Sequence, residues 1–205
     1  LLKFCRWLGR QKEANTIIGS NSVVDFGCGN GRNLIYLAET FGMKGIGFDV
    51  SQAAIKIANQ VSTQYDLRYE ARSIAGDFPT IPDGSQALAL DMMSSHFLSK
   101  TERVKLRDEI WRVLEPGGYL FMKTHLGDGD LHTRRLLADA PAKEPQTYIH
   151  PVIGVPEYVY FEKDLLEFLQ PHFEICKVYR SHKHISHGQA RKRRTVSLYA
   201  RKPLW

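Results

Sequence analysis

One short stretch, Val23-Val24-Asp25-Phe26-Gly27-Cys28-Gly29-Asn30-Gly31, restricts the fold of this chain more than any other. A β-branched run from Ser22 to Phe26 ends on glycines, and Leu34, Ile35, Leu37, Ala38 and Phe41 then follow at helical spacing. The spacing predicts a strand, a sharp turn and a helix over Asn30–Thr40. Glycine lets the backbone turn tightly and approach a ligand, and a helix start offers unpaired N–H groups.

The same alternation continues. Strands are expected over Gly45–Phe48, Leu67–Arg72, Ala87–Met92 and Tyr119–Thr124. Ser51 is expected to cap a helix reaching about Val61, and Thr101–Leu114 reads as a helix burying Val104, Ile110, Trp111 and Leu114. Pro116-Gly117-Gly118 stops that helix. Residues 126–160 show no clear period, so they are expected to form an irregular lid. A helix at Phe161–Gln170 and strands at Phe173–Tyr179 and Thr195–Ala200 close the chain. The expected fold is α/β: a Rossmann-like, doubly wound, mostly parallel sheet with a C-terminal antiparallel hairpin, in one domain over residues 1–205. Ligands in such folds lie at the carboxyl ends of the strands.

The glycine pattern is G-x-G-x-G, not the G-x-G-x-x-G of dinucleotide enzymes, and Asp25 precedes its first glycine by two residues. Asp49 ends the next strand, where a carboxylate can accept both hydroxyls of a ribose. With Gly47-Phe48-Asp49-Val50-Ser51 and Trp111-Arg112-Val113-Leu114-Glu115-Pro116-Gly117-Gly118-Tyr119-Leu120, these residues resemble the class I S-adenosylmethionine-dependent methyltransferases. The closest likeness is to the small type 11-like and tellurite-resistance-type groups. The resemblance spans Ser22 to Thr124. It implies S-adenosylmethionine as cofactor, with Gly27, Cys28, Gly29 and Gly31 lining its methionine part and Asp25 near the ammonium. Asp49 would take the ribose, Val50 the adenine face, and Asp91 and Met92 would face the cofactor from the fourth strand. For the adenine edge, spacing selects Ser73 and Ile74, while Asp77-Phe78 is the rival by residue type. Ala87 departs from the family, which usually has Asp there.

Methyl transfer from a sulfonium is an in-line displacement, so a base is needed only where the acceptor must lose a proton. His96 is preferred as that catalytic group over His125, because it aligns with a family histidine; the alternative for either is a structural imidazole. Tyr148, Tyr158, Tyr160 and Phe161 either cover the acceptor or pack the lid onto the core. Cys28 at a helix start could have a lowered thiol pKa, but a small residue in the loop is the preferred reading. His182, His184 and His187 form H-x-H-x-x-H without an accompanying Cys or acid, and no metal is assigned.

Charge bears on the partner. The net charge is +6, and Arg180, Lys183, Arg191, Lys192, Arg193 and Arg194 lie in one acid-free segment, leaving the remainder formally neutral. A solvated or substrate-steering hairpin ranks above an RNA-binding one, because the segment lacks interleaved aromatics. The preferred partner is therefore a small-molecule acceptor. An RNA methyltransferase using residues 180–194 and a non-catalytic nucleotide-binding protein are the alternatives. No apolar run reaches the ~18 residues of a membrane span. Leu1–Leu8 lacks the apolar centre of a signal peptide, and three scattered cysteines suit a reducing compartment, so a cytoplasmic location is expected. The pattern fixes no oligomeric state.

Overall fold

The computed structural model describes residues 1–11, 21–181, 185, 186, 189, 190 and 192–204. The strands are β1 (Ser22–Phe26), β2 (Lys44–Asp49), β3 (Leu67–Ala71), β4 (Gln86–Met92) and β5 (Leu114–His125), then β6 (Thr147–Ile149), β7 (Pro156–Tyr158), β8 (Glu174–Arg180), β9 (Ile185–Ser186), β10 (Gln189–Ala190) and β11 (Thr195–Arg201). The helices are α1 (Leu2–Leu8), α2 (Arg32–Phe41), α3 (Gln52–Val61), α4 (Lys100–Val113), α5 (Leu131–Asp139) and α6 (Glu162–Leu169).

One seven-stranded sheet runs β3-β2-β1-β4-β5-β11-β8. β1 to β5 are mutually parallel, and β11 runs antiparallel between β5 and β8. The chain reverses direction across the sheet at β1, whose neighbours are β2 and β4. This switch point leaves a crevice beyond the strand ends, where the glycine loop lies. Side chains alternate along the central strands to make two cores. Tyr119 and Phe121 of β5 join Leu88 and Leu90 of β4 on one face, packed against α1 and α2; Leu120 and Met122 join Ala89 on the other, against α4 and α6. Phe4 of α1 sits 4.9 Å, centroid to centroid, from both Phe121 and Tyr199.

Local chemistry sets the helix starts. Ser51 Oγ accepts the Ala54 amide at 3.2 Å, the expected cap of α3. Ser99 and Glu102 form a reciprocal capping box on α4. The buried face of α4, however, is Arg103, Leu106, Ile110 and Val113, and Trp111 is exposed. Arg103 takes a core-facing position because the aromatic ring of Tyr158 lies 3.6 Å from its guanidinium carbon, the Leu98 carbonyl accepts from it, and Glu144 pairs with it. Periodicity alone reads a charged residue as outward, and the partners that override this come from elsewhere in the chain.

Residues 126–160 are not irregular. They contain α5, capped by Asp130 through the Thr133 amide at 3.0 Å, and the β6–β7 hairpin. The helix was hidden because Asp130 is held by tertiary contacts, its second carboxylate oxygen accepting the Arg194 amide.

Candidate active site

Backbone geometry builds the loop after β1. Gly27, Gly29 and Gly31 have φ of 85°, 53° and 79°, a region costly for other L-residues. A Cβ on Gly27 would lie 2.2 Å from Ser94 Cβ, and one on Gly31 would lie 2.5 Å from the Tyr69 hydroxyl. At Gly29 a Cβ would meet open space, so this glycine keeps the mouth of the loop clear. Cys28 turns inward: a Cβ on Gly47 would lie 2.7 Å from its Sγ. Burial, reinforced by the charges of Asp25 and Asp49, pushes its thiol well above the ordinary value, the opposite of activation at a helix start.

The carboxylates are placed by the same strands. Asp49 at the end of β2 accepts the Gly29 amide through Oδ2 and the Ser51 amide through Oδ1, both at 2.9 Å, so it is fixed facing the loop. Asp25 is fully buried; Oδ2 accepts from Asn33 Nδ2 at 3.3 Å, while Oδ1 has no partner. Burial raises its pKa to about 7; the Asn33 hydrogen bond and Arg32 oppose the rise, and Asp91 and Asp49 add to it. Such a group gains by meeting a cation. Asp91, also buried, has its pKa raised by burial and partly restored by hydrogen bonds from Ser94 and Ser95.

Val50 is 71% exposed beside Asp49, an apolar surface open to a flat ligand. Ser73 is exposed, its Oγ accepting the Ala75 amide at 3.2 Å, and Ile74 is buried next to it. The rival Phe78 is spoken for: its amide donates to Glu109 at 3.0 Å and its ring packs 5.0 Å from Phe26 and 4.6 Å from Phe48. Met92 is half-buried at the end of β4.

Sequence reasoning missed the turn after β4. Met93 has φ 67°, outlying for a non-glycine residue, and turns the chain so that Ser94 Oγ donates to the Phe26 carbonyl and to Asp91. The turn thereby locks onto the glycine loop and delivers His96, which is 2% exposed. The His125 ring, from the end of β5, lies 5.5 Å away. Burial lowers both imidazole pKa values to about 4, so both rings are neutral at pH 7. The Nδ1 atoms of both rings and Ser95 Oγ are buried without a hydrogen-bond partner. Glu157 of β7 closes the group, Oε1 lying 3.9 Å from His125 Nε2 and bonded to Arg193. Burial pushes the Glu157 carboxyl up, but Arg193 and Tyr148 more than offset it and leave it below the ordinary range. No sequence signal joined Glu157 and Arg193 to His96, because they come from segments far apart in the chain.

Tyr148 and Tyr160 are buried, Tyr148 donated to by Arg193 at 2.6 Å; Tyr158 receives Arg103. Three cations of the basic segment are internally engaged. Arg180 pairs with Glu162, Arg193 with Glu157, and the Arg194 guanidinium donates to the Asp128 carbonyl. Lys183, Arg191 and the three histidines of H-x-H-x-x-H lie outside the described residues.

A family model described as a methyltransferase domain matches residues 23–118, from β1 and the glycine loop into the first part of β5. Those residues, just under half of the chain, match a methyltransferase domain of the class I S-adenosylmethionine-dependent kind. S-adenosylmethionine is the cofactor of this family, and the residues present fit it: an open glycine mouth, an orphaned buried carboxylate for the ammonium and a loop-facing Asp49 for the ribose. Tocopherol O-methyltransferase of Arabidopsis thaliana, a chloroplastic protein, is 34% identical over 104 residues, half of this chain; the chain spans 29% of that relative's length. An S-adenosylmethionine-dependent methyltransferase of Methanosarcina mazei shares the fold at TM-score 0.76 and 22% identity, over 95% of this chain and 99% of that one. The N-methyltransferase NodS of Bradyrhizobium japonicum, solved with S-adenosyl-L-homocysteine, does so at TM-score 0.67 and 16% identity, over 98% and 86%. Among the described residues, no helix is long and apolar enough to cross a membrane.

Proposed function

We propose that this methyltransferase domain moves a methyl group to a small-molecule acceptor bound between the turn after β4 and the segment 126–160, which acts as its lid within a single domain. The cofactor supplies an electrophilic methyl on a sulfonium, and the protein aligns the acceptor in line and excludes water. Asp25 balances the cofactor's ammonium, Asp49 holds the ribose, the Gly27–Gly31 backbone lines the methionine part, and Val50 and Ser73-Ile74 receive the adenine. Asp91 and Met92 border the cofactor from β4. His96, neutral at pH 7, takes a proton from an acceptor that must lose one.

The observation carrying this reading is the polar cluster beyond the ends of β4 and β5, where Ser95, His96 and His125 hold buried, unpartnered atoms. Buried polar atoms are nearly always paired, and those that are not concentrate where a ligand completes them. A small acceptor is favoured over RNA because Arg180, Arg193 and Arg194 are occupied by the protein's own acceptors. Three free thiols, Cys5, Cys28 and Cys176, support a reducing, cytoplasmic setting.

Titration calorimetry with S-adenosylmethionine, followed by transfer of labelled methyl to a panel of phenols, thiols and amines, tests the reading. Saturable cofactor binding with turnover supports it. Binding unaffected by Asp49→Ala overturns the cofactor placement, and binding without turnover on any acceptor favours a non-catalytic protein. Salt-sensitive RNA binding lost on neutralising Arg191–Arg194 would replace the acceptor class.

A further inference from the structure

We infer that His96, His125 and Glu157 form a binding site for one divalent transition-metal ion of the zinc class, set at the ends of β4, β5 and β7. One ligand atom from each residue lies within 4.8 Å of the other two. Two ligands of a tetrahedral ion, each about 2.1 Å from it, stand roughly 3.4 Å apart, so a pair at the 4.8 Å limit has to close by about 1.4 Å. His125 Nε2 and Glu157 Oε1, at 3.9 Å, are too far apart for a hydrogen bond and near enough to share a ligand.

The donor chemistry agrees. Two imidazoles and one carboxylate are the set that leaves a catalytic metal an open position. Both rings are neutral near pH 7 because burial disfavours the imidazolium, so each keeps a lone pair. His96 is almost wholly buried, and its unpartnered Nδ1 leaves its tautomer unpinned; His125 Nδ1 is unpartnered too.

The neighbouring groups define the set further. His150 Nδ1 accepts the Val152 and Ile153 amides at 3.2 and 3.3 Å, which places its proton on Nε2, 3.8 Å from Glu157 Oε2. With Nδ1 engaged, His150 does not ligate, and its Nε2 stands beyond hydrogen-bond distance of Glu157. Arg193 bonds Glu157 Oε1 and competes with a cation for the carboxylate. Arg193 thus tunes the affinity downward.

The role of the ion rests on the acceptor reading above and revises one part of it: an acceptor heteroatom taking the ion's open position would have its pKa lowered, and His96 would serve there as a ligand in place of the base. Metal binding itself does not rest on that reading. The test is equilibrium dialysis of the full chain against Zn²⁺, with metal counted by atomic emission. A second chain with His182, His184 and His187 changed to Asn removes the H-x-H-x-x-H run as a competitor. One zinc per chain is expected in both. His125→Gln, at a half-buried position, and Glu157→Gln should each weaken binding about 100-fold while S-adenosylmethionine binding by calorimetry confirms folding. Arg193→Met should tighten it. Absence of stoichiometric zinc, zinc lost with the three-histidine change, or zinc unaffected by His125→Gln overturns the inference. Zinc bound by a chain that transfers no methyl group would leave the site standing and sink only the acceptor reading.

Discussion

The loop after β1 and the pocket beyond β4 and β5 face the same crevice yet are specified in opposite ways. The loop is written in consecutive residues whose backbone conformations, three positive φ values, make the surface proposed for the cofactor. The pocket is assembled from His96, His125, Glu157 and Arg193, which share no local pattern and meet only because β4, β5, β7 and β11 converge. A surface made of backbone tolerates almost no change in residue type, whereas one made of side chains can change its chemistry while the sheet persists. One end is therefore written locally in the chain and the other by contacts between distant segments.

That contrast can be broken by experiment. The largest effect should come from Gly27→Ala. It forces a Cβ into Ser94 and holds alanine at φ 85°, which should cost about 2–4 kcal/mol in urea unfolding and abolish cofactor binding. Little change in either would show that the loop is less rigid than its geometry.

Asp49→Ala removes acceptors for two loop amides and the proposed ribose contact. Calorimetry should register about 1.5–3 kcal/mol weaker S-adenosylmethionine binding. Glu157→Gln, in the other region, leaves Arg193 without its carboxylate and should lower unfolding free energy by about 1–3 kcal/mol while cofactor affinity stays within twofold. If Glu157→Gln weakened the cofactor as much as Asp49→Ala does, the two regions would be one cooperative site.

A pH series separates them more finely. Asp25, facing Asn33, Asp49, Asp91 and Arg32, titrates near 7, so its carboxylate fraction rises about tenfold from pH 6 to 8, and cofactor affinity should follow. The sign for stability is the reverse. Because folding raises this acid above its ordinary value of 3.8, the cofactor-free chain loses stability as pH rises from there through about 7. Asp25→Asn should flatten both trends. The smallest effect belongs to Trp111→Ala: the ring is exposed and touched by Lys202 at 4.1 Å, so a loss below about 1 kcal/mol is expected, where a buried tryptophan would cost 3 or more.

Much of the first region was legible. Strand-glycine-helix order, Asp49 at the end of β2 and the Ser51 cap follow from short-range rules, and the structure has them where spacing predicts. Legibility failed where a residue's neighbours come from far along the chain. Trp111 looked buried and Arg103 was passed over because periodicity counts hydrophobicity, not partners. Residues 126–160 looked irregular because α5 and the β6–β7 hairpin depend on Asp130, Glu157 and the arginines of β11's approach. The +6 charge looked like a surface property, yet two of its cations complete acids within the fold and a third donates to a backbone carbonyl.

The sequence alone thus determined the doubly wound α/β frame and the end of the sheet that takes the cofactor, because strand period, glycine conformation and helix capping act within a few residues. Only the tertiary structure decided that two neutral histidines, a buried glutamate and a paired arginine share one pocket. Burial and Coulomb interaction depend on distance in space, and distance along the chain carries no record of it.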